Sequence, residues 1–154
     1  MKKFIAVLMV CVICFSFAAC GGADYSAREF DFLDETFSWD VTIDEVEAIA
    51  VNNPVGVDAF RTEESSTYTM AHCRGYKFRF GEDGNLEFVK LMFGESENAL
   101  MNMLVEAYGE YDDANEDNGY YYWYGTLNGE NTKLCLCIDP LSDDMNHIQL
   151  TPEK

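Results

Sequence analysis

The sequence predicts an α+β fold: two helices on one face of a curved antiparallel sheet, forming a two-layer domain, with a signal-peptide helix ahead of it. Three observations carry the prediction. Two segments begin with a helix-capping residue and continue with apolar residues at three- and four-residue spacing. Each is followed by alternating strands with turn residues between them. This helix-then-strands order occurs twice, in residues 37 to 93 and 94 to 150, which suggests an internal duplication at low sequence similarity. Helices segregated to one face of such a sheet bury its apolar side in two layers.

At the N-terminus, Lys2 and Lys3 precede a run from Phe4 to Ala19 in which Ser16 alone is polar. These are the n-region and h-region of a secretory leader. A membrane-spanning helix needs about 20 apolar residues, whereas this run has 16 and meets Gly21, Gly22 and Asp24 at once. Ala18 and Ala19 directly before Cys20 resemble the lipobox of bacterial lipoproteins, in which the cysteine receives diacylglycerol and becomes the new first residue. Phe17 stands where leucine is usual in that motif. Ordinary cleavage near Ala19 and an uncleaved anchor are the other readings of the same pattern.

The lipobox resemblance implies residues 1 to 19 as signal peptide, Cys20 as the lipidation site and an extracytoplasmic body anchored to the cell membrane. Two acyl chains, at about 0.8 kcal/mol per buried methylene, give a lasting hold where one does not. Residues 20 to 36 read as a flexible acidic tether in which Phe30, Phe32 and Leu33 suggest contact with the body. Residues 37 to 154 read as a single domain, long enough to bury about two thirds of its unfolded surface.

All 28 acidic residues but only eight of the ten basic ones lie beyond residue 19. A chain so anionic repels phosphate backbones and anionic headgroups, which excludes nucleic acid as a partner and holds the body off the bilayer surface. Its apolar and aromatic content argues for a folded core.

The first helix follows Val41. Thr42 with Glu45 forms a capping box, Val41 and Val46 are placed for a hydrophobic staple, and Ile43, Val46, Ile49 and Ala50 give one apolar face. Asn52, Asn53 and Pro54 end it. After a variable stretch to Thr67, "YTMAHC" and "GYKFRF" read as strands, with Tyr76, Phe78 and Phe80 on one face and Lys77 and Arg79 on the other. "GEDGN" supplies a turn around Gly84, and "LEFVKLMF" returns as hairpin partner. Ser96 then caps a second helix running to Tyr108, with an expected apolar face of Leu100, Met103, Leu104, Ala107 and Tyr108, ending at Gly109. An acidic loop leads to "YYYWYGTL", a turn around Asn128 and Gly129, "TKLCLCI", a turn near Pro140 to Asp143, and "MNHIQL".

A set of short motifs spread over residues 37 to 150 resembles that of small, mostly uncharacterised lipoproteins of Gram-positive bacteria: Trp39 before the capped helix, Gly75 and Tyr76, Phe78 and Phe80, Asp83, Gly84 and Leu86, Tyr108 and Gly109, and Trp123. Asp40 stands where glycine is usual, so the turn into the first helix departs from that pattern. The arrangement is also similar to beta-lactamase inhibitor proteins and to the small outer-membrane assembly lipoprotein. Those proteins bind other proteins and catalyse nothing, so the resemblance implies a binding role and no cofactor.

Several residues carry chemistry. Cys135 and Cys137 alternate with leucines along one strand, share a face and fit a reading as small core residues. Cys73 paired with either would form a disulfide and leave one thiol over. Cys73, Cys135 and Cys137 with His72 or His147 are zinc-type ligands without tight spacing, and His72 and Cys73 face opposite ways in their strand. Asp113, Asn115 and Asp117 are spaced by two as in a calcium loop, but the glycine comes late at Gly119 and Tyr124 stands at position twelve, so a solvated acidic turn is the better reading.

The run from Tyr120 to Tyr124 is the most informative functional signal. Tyr120, Tyr122 and Tyr124 lie on one side of a strand, Tyr121 and Trp123 on the other. One set fills the core; the other, left outside, is the usual kind of anchor for a protein or glycan of the cell envelope, unless the tether covers it. Tyr121 and Trp123 are taken as the lead binding residues. The expected function is a non-catalytic binding module; the alternative is a small surface hydrolase acting on peptidoglycan or peptide through an acidic pair.

Overall fold

The computed structural model describes residues 23–33, 35–52, 60–73, 75–142 and 145–153, residues 49 to 52 by their backbone alone. The leader, Cys20 and the first tether residues lie outside this set, so the signal-peptide and lipidation expectations do too. Among the described residues no helix is long and apolar enough to cross a membrane.

The fold is α+β, as predicted. Helix α1 (Ile43–Asn52) is followed by strands β1 (Arg61–Glu64), β2 (Tyr68–Cys73), β3 (Tyr76–Gly81) and β4 (Leu86–Met92). Helix α2 (Glu97–Tyr108) is followed by β5 (Asp113–Asn115), β6 (Tyr120–Leu127), β7 (Glu130–Cys137) and β8 (His147–Pro152). The eight strands form one sheet in the order β1-β2-β3-β4-β8-β7-β6-β5, every neighbouring pair antiparallel. Each half is a helix followed by a four-stranded meander. The two meanders join through their last strands, so the halves are related as if by a two-fold axis between β4 and β8.

Local chemistry explains the helix ends. The Thr42 backbone N–H donates to Glu45 Oε2 at 2.8 Å and the Glu45 N–H donates back to Thr42 Oγ1 at 3.4 Å, the expected reciprocal box. Ser96 Oγ accepts from Ala99 N, and Gly109 closes α2 with its N–H on the Val105 carbonyl. The turn at Trp39 and Asp40 contains no positive φ, so the backbone there does not require glycine at position 40. Asn128 and Gly129, with φ of 51° and 82°, make the two-residue β6–β7 hairpin turn.

The buried face of α2 differs from the expected one. Leu100 and Leu104 are buried and Tyr108 is half-buried, but Met101 and Val105 pack on the core in place of Met103 and Ala107, which are exposed. Both sets obey helical spacing. The sheet decides between them by presenting its apolar surface to the 100-101-104-105-108 stripe.

The tether expectation is corrected for residues 28 to 33. Phe30 is 1% exposed and belongs to the core. Its N–H donates to the Thr126 carbonyl at 2.7 Å, and the Thr126 N–H donates to the Arg28 carbonyl at 2.9 Å, so this segment runs along the β6 edge where the short β5 has ended. The Arg28 guanidinium donates to the carbonyls of Tyr108, Glu110 and Tyr124 at 2.7, 3.0 and 3.1 Å and pairs with Asp112. It thereby occupies orphan carbonyls at the C-terminal end of α2, where a cation also suits the helix dipole. Acidic composition made this segment read as solvated; one arginine and one phenylalanine fix it.

Tyr108 completes the attachment. Its ring meets Phe30 edge-on at 5.2 Å, and its hydroxyl donates to Asp31. Burial, reinforced by the hydrogen bond to Asp31, pushes its ionisation up to about 12. An unfolded tyrosine ionises near 10. The protonated side chain therefore contributes its full stability below pH 10, and the contribution disappears as pH rises through about 12. Tyr108→Phe is expected to flatten the fall in melting temperature between pH 10 and 12; an unchanged alkaline slope would show that Tyr108 does not govern it.

Candidate functional site: the outer face of the sheet

Strand alternation and register sort every sheet residue onto one of two faces. The inner face carries Trp123, Leu134, Leu150, Val89, Phe78 and Ala71 in one cross-sheet row and packs beneath the helices. The outer face carries a different population. One of its rows reads Arg61, His72, Lys77, Lys90, Gln149, Cys135 and Tyr122 from β1 to β6.

This arrangement corrects the assignment of the lead binding residues. Trp123 is fully buried, its Nε1 donating to the Gly109 carbonyl at 2.8 Å with the Tyr111 ring edge-on at 6.1 Å. Tyr121 is half-buried on the same side, against Tyr111 at 5.2 Å. Both belong to the inner layer, because Trp123 and Tyr121 stand opposite Leu134 and Leu136. Tyr120, Tyr122 and Tyr124 are the set left outside. Tyr120 is 38% exposed, Tyr122 is half-buried, and Tyr124 is partly covered by Tyr25, whose ring meets it edge-on at 5.6 Å.

The cysteines divide between the faces. Cys73 lies inside, opposite Tyr76, and Cys135 and Cys137 lie outside, four strands away in sheet order, which rules out a disulfide from Cys73 to either. The Cys135 and Cys137 sulfurs are 3.4 Å apart. The hydrogen bond from Cys135, followed by one from the facing His147, lowers the Cys137 ionisation, while the same sulfur–sulfur contact and burial raise that of Cys135. Among the described residues no group of three or more His, Cys, Asp or Glu is placed to hold a metal ion. The calcium-type spacing resolves into an edge strand and a short turn: Asp113 and Asn115 alternate along β5, and Asn115 Oδ1 accepts from Asn118 at 3.0 Å.

The outer face also gathers the cations. Of the six Lys and Arg among the described residues, Arg61, Lys77, Arg79, Lys90 and Lys133 project from it; Arg28 is the exception. Arg61 and His72 lie 3.9 and 3.4 Å from Glu63, Arg79 lies 2.8 Å from Glu87, and Lys133 lies 2.8 Å from Glu153. Arg79 also sits over the Tyr68 ring at 4.4 Å. A groove of about 330 Å³ crosses this face between Lys77, Lys90, Tyr120 and His147, walled by Ile138, Asp139, Pro140 and Met145. On the helix side an apolar hollow of about 620 Å³ lies between α1, Leu33, residues 36 to 41 and β3, with Phe37, Val41 and Phe78 in its lining.

No family model and no curated protein matches the chain. Among solved structures, it is similar to a DUF4309 family protein (YjgB) from Bacillus subtilis subsp. subtilis str. 168, with 15% sequence identity over 79% of this chain and 86% of that one and a TM-score of 0.41.

Proposed function

We propose that the protein is a lipid-anchored, extracytoplasmic binding module that presents the outer face of its sheet to a protein or glycan of the cell envelope. The observation that carries the reading is the asymmetry of the sheet. One face is filled by the helices, Trp123 and Phe30, and the other keeps Tyr120 and Tyr122 at the surface among clustered cations. Tyrosine ringed by polar side chains is the usual composition of an interface anchor. The leader pattern ending at Cys20 supports the placement, and because residues 28 to 33 pack on the body, eight positions separate that packed segment from the proposed lipid site in sequence.

A photoreactive residue at position 120 is expected to crosslink one envelope component in intact cells, and one at position 123 none. Equal yields from the two positions, or none from position 120, would remove the outer face from consideration.

A further inference from the structure

Lys77 and Lys90 are directly opposite each other across β3 and β4. Like charges in that position repel, with side chains starting about 5 Å apart. Both are half-buried, and burial, then the nearby charges of Lys77 and Arg79, pull the Lys90 ammonium below its ordinary range. Every other lysine, arginine and histidine of this face except His147 lies within 4 Å of a carboxylate. Neither Lys77 nor Lys90 forms such a pair among the described residues. The carboxylate that lines the groove, Asp139, is turned to its own loop, where it accepts from the Leu141 N–H at 2.8 Å.

The device that creates the lysine pair is also visible. The register of the β3–β4 hairpin shifts between Arg79 and Phe80, leaving Glu87 as an extra residue on β4. Extended without that shift, the Phe80–Leu86 pairing would set Val89 opposite Lys77. The bulge moves Lys90 there instead, and bulges of this kind re-aim side chains at sites.

We propose that the groove over Lys77 and Lys90 binds a small organic anion, its carboxylate or phosphate oxygens between the two ammonium groups and its apolar body against Tyr120, Ile138 and Met145. The groove has the volume of a small-ligand site. Among its polar groups, which also include Cys137, Asp139 and His147, four are donors suited to oxyanions: two ammonium groups, the Asn118 amide and the Tyr120 hydroxyl. This inference rests on the reading of the outer face as the working face and names the chemistry that face selects.

The test uses the full chain in non-ionic detergent, titrated with phenyl phosphate, benzoate and phenol by calorimetry. Saturable binding of at least one anion is expected, with phenol silent, and the tighter of the two anions identifies the headgroup. Lys77→Gln with Lys90→Gln is expected to weaken that binding at least about tenfold, the equivalent of about 1.4 kcal/mol. Without any probe, Lys90→Gln is expected to melt at or above the wild-type temperature, because relieving a like-charge pair stabilises a site kept for binding. Absence of saturable anion binding, equal binding of phenol, or binding that survives in the double variant would overturn the proposal. So would a Lys90→Gln variant that melts several degrees lower, since that lysine would then be structural. Loss of anion binding with position-120 crosslinks intact would remove this inference alone; intact anion binding without crosslinks would remove the envelope-partner reading alone.

Discussion

Trp123→Ala is expected to destabilise the domain by about 3–5 kcal/mol, the usual cost of emptying a buried tryptophan site. The indole is fully buried between β6, Tyr111 and the end of α2, and its removal also strands the Gly109 carbonyl that accepts its N–H. Because a domain of this size is stable by only about 5–15 kcal/mol, this one change should expose a measurable unfolded population. Tyr120→Ala, three residues away and on the other face, is expected to cost about 1 kcal/mol or less. Urea denaturation of the two variants decides the matter. If Tyr120→Ala proved the more costly, the assignment of β6 residues to faces would be wrong.

Phe30→Ala is expected to cost about 3–5 kcal/mol as well, although its segment reads as a tether. The ring fills a site closed by Tyr108 on one side and Gly125 on the other, where a side chain at 125 would begin 2.9 Å from both the Phe30 ring and the Arg28 carbonyl. Gly125→Ala should therefore lift the same segment off the sheet. Both variants are expected to become sensitive to proteolysis between residues 23 and 33 before the body is cut. A Phe30→Ala variant with wild-type stability and protection would restore the segment to the status of a free leash.

Much of the fold was legible because its signals are local. The Thr42–Glu45 box, the Ser96 cap, Gly109 and the Asn128–Gly129 turn act over a few residues, and each appears where expected. The two strands missed, β1 and β5, are the two edges of the sheet. "RTEE" and "DAN" are short and carry charged or small side chains, the composition by which edge strands resist pairing with other chains, so they resemble loops.

The candidate site was less legible because it depends on register between strands. Alternation divided the tyrosines of β6 correctly into two sets, but which set faces the helices follows from pairing with Leu134 and Leu136. Lys77 was placed correctly opposite the face of Phe78. Its partner Lys90 is set by a bulge at Arg79 and Phe80 that no turn residue announces.

The proposed lipid anchor places the whole account, and it has one direct test. The N-terminal peptide of the protein, recovered from the membrane fraction of the producing cells, should begin at Cys20 and carry the mass of diacylglycerol. A chain found in the soluble cytosol with residues 1 to 19 still attached would contradict the placement and the envelope partner together.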